Sequence, residues 1–253
     1  MSGRSIAGDT ARMMPPRSKT PKVKRRMAGP WWLWSSLLVF GSLIGLSTVT
    51  DIDLALSATF YGPDVGWRHA EAWGWRWLFE FGLRPSIVMA CGACFVLLGG
   101  WLYSQWQPYR RTCLVLVLVV ALGPGLIVNG ILKPYWGRPR PRHVEVFGGP
   151  QVYHPWWRPG GPGSGKSFPS GHAAMGFAML AGAVVMPQGT RRRYRWLRHT
   201  AIGGALGYGL LMGCGRIVQG GHFLSDVLWS GVIVVLLTYI LWRALLARPL
   251  PGR

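Results

Sequence analysis

His222 and Asp226 stand four residues apart in the stretch "GRIVQGGHFLSD". On a helix, that i,i+4 spacing puts both side chains on one face. A carboxylate so placed can accept the Nδ1–H of the imidazole and leave Nε2 free to attack an electrophile. Arg216 opens the same stretch. A second imidazole, His172, follows Pro169-Ser170-Gly171, a sequence suited to a helix start. The free backbone N–H groups and positive dipole end of such a start form an anion site. A third stretch, "KPYWGRPRP" from Lys133 to Pro141, uses its prolines to hold Lys133 and Arg140 in fixed relation. Three cations, a helix N-terminus and two imidazoles suit phosphoryl transfer, in which catalysis is mostly positioning and charge stabilisation.

A rival phosphate signature lies just upstream. In "GGPGSGKSFPSGHAA", Gly160, Gly165, Lys166 and Ser167 satisfy the P-loop pattern G-x-x-x-x-G-K-[ST]. A P-loop follows a buried strand and opens a helix at its Lys-Ser. Here the preceding "YHPWWRPGG" has no strand alternation, and Pro169 falls where that helix should be continuing. A flexible glycine-rich loop accounts for the match.

The elements that must position these residues are read from hydropathy. The chain has 253 residues, of which 50% are hydrophobic and only 14% charged. An average soluble domain carries about 25% charged residues, so this composition points to a membrane. The formal net charge of +20 raises the possibility of nucleic acid. The basic residues fall between long apolar runs, which excludes that reading. The runs are Pro30–Thr50, Ser86–Ser104, Cys113–Leu132, Gly171–Pro187, Thr200–Val218 and Phe223–Ala247. Most reach the roughly 17–25 residues that a spanning helix needs; Gly171–Pro187 is at the short end.

Six spans put both termini on one side, and most Lys and Arg lie on that side. The positive-inside rule makes it cytoplasmic. The loops carrying the three stretches then face the opposite side. The Trp-rich piece "GWRHAEAWGWRWLFEFG" is too charged to span and reads as an interfacial helix. The fold class expected is therefore all-α: a polytopic membrane protein with six transmembrane helices and an interfacial helix in the first non-cytoplasmic loop. Residues 1–29 form a basic, disordered cytoplasmic tail, 30–247 the six-span domain and 248–253 a short cytoplasmic tail. Cys91 and Cys94, within a span, are expected to serve close helix packing rather than redox or metal chemistry, as are Gly41/Gly45 and Gly203/Gly207.

The three stretches together resemble the type 2 phosphatidic acid phosphatase superfamily, whose pattern is K-x6-RP, then PSGH, then SR-x5-H-x3-D. Lys133 and Arg140-Pro141, Pro169 to His172, and Arg216, His222 and Asp226 match in order and spacing. Gly215 replaces the serine before the arginine and puts one phosphate contact in doubt. The resemblance implies roles for each residue. His222 would attack phosphorus and form a phosphohistidine, and Asp226 would orient it. His172 would protonate the leaving oxygen and then activate water. Lys133, Arg140, Arg216, Ser170 and the Gly171 amide would hold the phosphoryl oxygens. Arg138, Arg142 and Lys166 are further candidates for substrate contact. No metal or other cofactor is implied, because the cations take a metal's electrostatic part.

Within that superfamily, six apolar runs argue for a lipid substrate, and the resemblance implies a bacterial inner membrane with the active site periplasmic. "GRPRPRHVEVFGG" is similar to bacterial lipid A phosphatases in particular. Undecaprenyl diphosphate and phosphatidylglycerophosphate phosphatases stand as alternatives, as does a non-catalytic lipid transporter or scaffold. Neither the oligomeric state nor the choice between water and a lipid as phosphoryl acceptor is set by these features.

Overall fold

The computed structural model describes residues 30–186 and 192–246. The expected tails, 1–29 and 248–253, and the first residues of the basic loop before Arg192 lie outside the described residues. Regular structure is almost wholly helical: α1 (Trp31–Val49), α2 (Ile52–Ala58), α3 (Trp73–Phe81), α4 (Arg84–Gly99), α5 (Arg110–Val120), α6 (Lys133–Trp136), α7 (Gly171–Val185), α8 (Arg192–Val218) and α9 (Leu224–Leu245). One short antiparallel ladder, β1 (Tyr61–Gly62) with β2 (Gly66–Trp67), precedes α3.

The helix α5 does not stop at Val120. It widens into a π-helical stretch, Ala121–Leu132, that runs directly into α6. Pro124 lies inside this stretch and has no N–H for an α-helical ladder. The Asn129 side-chain amide donates to the Pro124 carbonyl at 2.8 Å, which ties that side chain to the turn before it. The stretch ends at Lys133, so the irregular turns fix where that cation emerges. The helix α6 then stops at Gly137, whose φ of 71° is left-handed and suits glycine.

Helix α7 is the buried centre. Phe177, Ala178, Leu180 and Ala181 have no exposure, and α8, α9 and the π-helical stretch surround them. Between apolar helices in lipid, close packing rather than hydrophobic exclusion drives association, so small residues are found at the contacts. Gly176 and Gly209 face each other: a Cβ on Gly176 would lie 2.9 Å from the Gly209 Cα, and one on Gly209 would lie 2.2 Å from Phe177. A Cβ on Gly231 would lie 2.5 Å from Phe40, which ties α9 to α1. The sequence expectation for Gly41, Gly45, Gly203 and Gly207 is corrected here, since a Cβ on any of them would meet no other element within 4 Å. Their spacing marks a helix face but does not say what that face meets.

Among the described residues, five helical stretches are long and apolar enough to cross a membrane: Trp31–Val49, Trp73–Gly99, Ser104–His143, Arg192–Val218 and Leu224–Leu245. Their outer faces expose large apolar side chains, among them Leu38, Val88, Phe95 and Leu98, as a lipid-facing surface does. Gly171–Val185 is apolar but has 15 residues. At 1.5 Å per residue it is about 22 Å long, less than the roughly 30 Å hydrocarbon core. The Trp-rich piece is helical only in its second half. Its first half forms β2 and turns, and α3 begins at Trp73 and leads through Gly82 into α4.

Candidate active site

A cavity of about 460 Å³ opens where the ends of several helices meet. It is lined by Lys133, Arg140, Arg142, His172, Arg216 and His222 together with Ala70, Glu71, Arg76, Phe79, Glu80 and Gln219, from or near α3 and the end of α8. Residues from all three sequence stretches thus meet in one space. Ser170, Gly171 and Asp226 are buried behind that lining, and Lys166 is exposed outside it.

Each position has a local cause. The Ser170 hydroxyl accepts the Ala173 N–H at 3.4 Å and caps α7, so His172 sits in the first turn. Gly171 allows close approach: an added Cβ would lie 2.7 Å from Asn129 Oδ1 and 3.1 Å from Lys133 Nζ. Lys133 Nζ also donates to Asn129 Oδ1 at 3.1 Å. Arg216 ends α8, where its guanidinium donates to Gln219. Gly221 makes room for that guanidinium, since a Cβ there would lie 2.3 Å from its Nη2.

His222 lies before α9 rather than on it, which corrects the shared-helix-face expectation. Phe223 is the N-cap, and Asp226 Oδ2 accepts the Phe223 N–H at 2.9 Å. The carboxylate therefore reaches back over the helix start, and His222 Nδ1 stands 3.6 Å from Oδ2. That is longer than a hydrogen bond. His222 is 2% exposed. Burial pushes its imidazole down to about 4, against the pull of Asp226 toward the charged form. The ring is therefore neutral at pH 7, the state that an attacking imidazole would need.

Asp226 is fixed on every side. Oδ1 accepts Arg138 Nη1, and Oδ2 accepts the Ser167 hydroxyl at 2.6 Å. Arg138 is 0% exposed, which corrects its expected role as a substrate contact. Its remaining donors go to Asp53 Oδ2 at 2.8 Å, Ser225 Oγ at 2.8 Å, the His154 carbonyl at 2.9 Å and Tyr153 Oη at 3.3 Å. Asp53 also accepts the Ser225 N–H at 2.8 Å. A buried charge is tolerable only when paired and hydrogen-bonded, and here one guanidinium serves two carboxylates.

The P-loop match has a structural explanation. No helix opens at Ser167; its hydroxyl supports Asp226 instead. The glycines permit backbone contact with the Arg138 segment. A Cβ on Gly165 would lie 2.2 Å from the Arg138 carbonyl, and one on Gly160 would lie 2.6 Å from that of Gly137.

Electrostatically the lining is an anion site. Lys133, Arg140, Arg142 and Arg216 bring positive charge, Glu71 and Glu80 in the lining pair with Arg76, and the buried Asp53 and Asp226 behind it share Arg138. Arg140 Nε and Arg216 Nε are buried without a hydrogen-bond partner among the described residues. Such donors are costly unless satisfied, and phosphoryl oxygens are suited to satisfy them.

Sequence reasoning missed Asp53, Tyr153, Ser167, Ser225, Phe79 and Gln219. Asp53 carried a usable signal: it is an acid beside a long apolar run, the same cost that marks Asp226.

The chain is similar in sequence to known proteins. The chain is 34% identical over 148 residues to the lipid A 4'-phosphatase of Francisella tularensis subsp. novicida, covering 58% of this chain and 64% of that protein. The match thus spans a little under two thirds of that relative's length. Identity to the lipid A 4'-phosphatase of Rhizobium leguminosarum is 32% over 227 residues, 81% of this chain and 90% of that one. For the Rhizobium etli protein of the same name it is 33% over 227 residues, 81% and 82% of the two chains. No solved structure matches the chain. The profile of the PAP2 superfamily matches residues 112–249, which include all three stretches. A match over more than half of the chain, together with relatives aligned across most of their length, means that this protein belongs to the PAP2 superfamily.

Proposed function

We propose that this protein is a membrane-embedded phosphatase that removes a phosphate from a lipid of the lipid A class through a phosphohistidine on His222. The observation that carries the reading is one cavity lined by two imidazoles and by Lys133, Arg140 and Arg216. The names of the three relatives support the choice of lipid.

Nδ1 of His222 faces Asp226, so Nε2 attacks phosphorus while the bond to the lipid oxygen breaks. His172 gives its proton to that oxygen. It then takes a proton from water, whose oxygen attacks the phosphohistidine, releasing phosphate and restoring His222. Lys133, Arg140 and Arg216 hold the equatorial oxygens, where preorganised charge acts most strongly. Ser170 supports the helix cap beside them, and the Gly171 amide contributes to the anion site.

Residues 30–247 form the catalytic domain and cross the inner membrane six times. The short helix α7 is enclosed by protein and need not match the bilayer by itself. Both termini are cytoplasmic, the cavity opens to the periplasm, and α3 lies at the interface with Trp73 and Trp77 toward lipid. A single cysteine at Gly148 should therefore react with an impermeant reagent in intact cells.

The reading is tested by phosphate release from a panel of lipid A, undecaprenyl diphosphate, phosphatidate and phosphatidylglycerophosphate. Release from lipid A ahead of the others supports it. Release from another lipid alone redirects the substrate, and release from none supports a transporter or scaffold.

A further inference from the structure

Phe79 stacks nearly parallel on the His172 imidazole, with ring centroids 4.7 Å apart and 16° between the planes. The Arg216 guanidinium carbon lies 4.6 Å from the centroid of the same Phe79 ring. The ring is 42% exposed, so it does not behave as an ordinary core residue. It also lies outside residues 112–249, the part of the chain that the superfamily profile covers.

Phe79 is held by the helix that carries it. Leu78, its neighbour on α3, is buried against α8. The Tyr208 hydroxyl of α8 donates to the Gly82 carbonyl at 2.7 Å and ties down the end of α3. Gly215 fits the same packing. A Cβ there would lie 3.2 Å from Trp75 and 3.3 Å from Leu78. The glycine that replaces the expected serine thus leaves room for α3 to approach, and that approach brings Phe79 to the two site residues.

We infer that Phe79 is a positioning residue for the proton-transfer step, acting through His172 and Arg216. A parallel ring restricts the imidazole to one plane, so the proton it carries stays aimed at the leaving oxygen. The ring's negative face also favours a cation beside it, whether the guanidinium or the imidazolium. The inference rests on the reading of His172 as general acid, and its test separates the two.

The test compares kcat/KM for phenyl phosphate and nitrophenyl phosphate, which are close in size but differ in how much protonation the leaving oxygen needs. The ratio within each protein is independent of the amount of folded enzyme. His172→Ala should lose about 10²-fold or more on phenyl phosphate and far less on nitrophenyl phosphate. Phe79→Leu, which removes the ring but keeps an apolar side chain, should lose roughly tenfold more on phenyl phosphate than on nitrophenyl phosphate. Phe79→Tyr, which keeps the ring, should retain the wild-type ratio. Equal losses on both substrates in Phe79→Leu, or a Tyr variant as defective as the Leu variant, would overturn the inference while leaving the general acid intact. Equal losses in His172→Ala would overturn the acid assignment and the inference with it.

Discussion

Arg138 and Asp226 form an ion pair in which neither side chain has any exposure. Asp53, from a helix 85 residues earlier, completes it by pairing with the other guanidinium nitrogen. The buried cation sets the orientation of the carboxylate that faces His222.

Removing one member strands a charge in the interior. Arg138→Ala should destabilise the fold by about 3–5 kcal/mol, the cost of breaking a buried pair. Arg138→Lys should also fail, because an ammonium cannot reproduce the planar fork. Thermal unfolding of the purified variants checks this, and a melting temperature unchanged in both would contradict it.

The glycine-rich stretch yields a contrast between neighbours. Lys166→Ala should cost less than about tenfold in kcat/KM, roughly 1.4 kcal/mol. Ser167→Ala should cost more, because it removes a buried hydrogen bond to a carboxylate, worth about 1.5–3 kcal/mol. Kinetics of the two variants decide the order. ATP binding lost in Lys166→Ala would revive the P-loop.

The acid limb of kcat/KM should lie well below the ordinary histidine value of 6.5. Burial lowers the His222 imidazole to about 4, with Lys133 and Arg216 acting in the same direction and Asp226 opposing. A lowered value keeps the nucleophile neutral down to that pH. Activity is then lost as pH falls through about 4. A limb centred at 6.5 or above would show that this ring is not the group titrating.

Chelation should leave turnover intact if, as proposed, Lys133, Arg140 and Arg216 neutralise the phosphoryl charge. Activity measured after exhaustive dialysis against a chelator checks this. Loss with rescue by a divalent ion would contradict the mechanism.

The legible parts of the site were those whose partners lie close in sequence. Lys133 with Arg140, the Pro169–His172 cap and Arg216 with His222 each carry their spacing on one short stretch. Arg138 was misread because "GRPRPR" presents three equivalent arginines, and only packing against Asp53 decides which one turns inward. Phe79 reaches the site from a distant segment and no local pattern announces it, while Asp53 stands out as an acid beside an apolar run but nothing local names its partner. The His222–Asp226 pair was found through a spacing argument that assumed continuous helix. The chain instead starts α9 after His222, and the carboxylate arrives as a helix-cap group. Among the helices, hydropathy located each apolar element. It marked the α7 run as short but could not tell that other helices enclose it, because burial in protein and burial in lipid look alike in composition.

The central claim is that His222 carries the phosphoryl group and His172 handles protons. Trapping the phosphoenzyme from labelled nitrophenyl phosphate, quenched in alkali because phosphohistidine is acid-labile, tests it most directly. His172→Ala should form the intermediate, since this leaving group needs little protonation, and should hydrolyse it slowly. Alkali-stable label should then appear on His222 in the His172→Ala protein and be absent from His222→Ala. Label on His172 in the His222→Ala protein would contradict the assignment and, with it, the role given to Asp226.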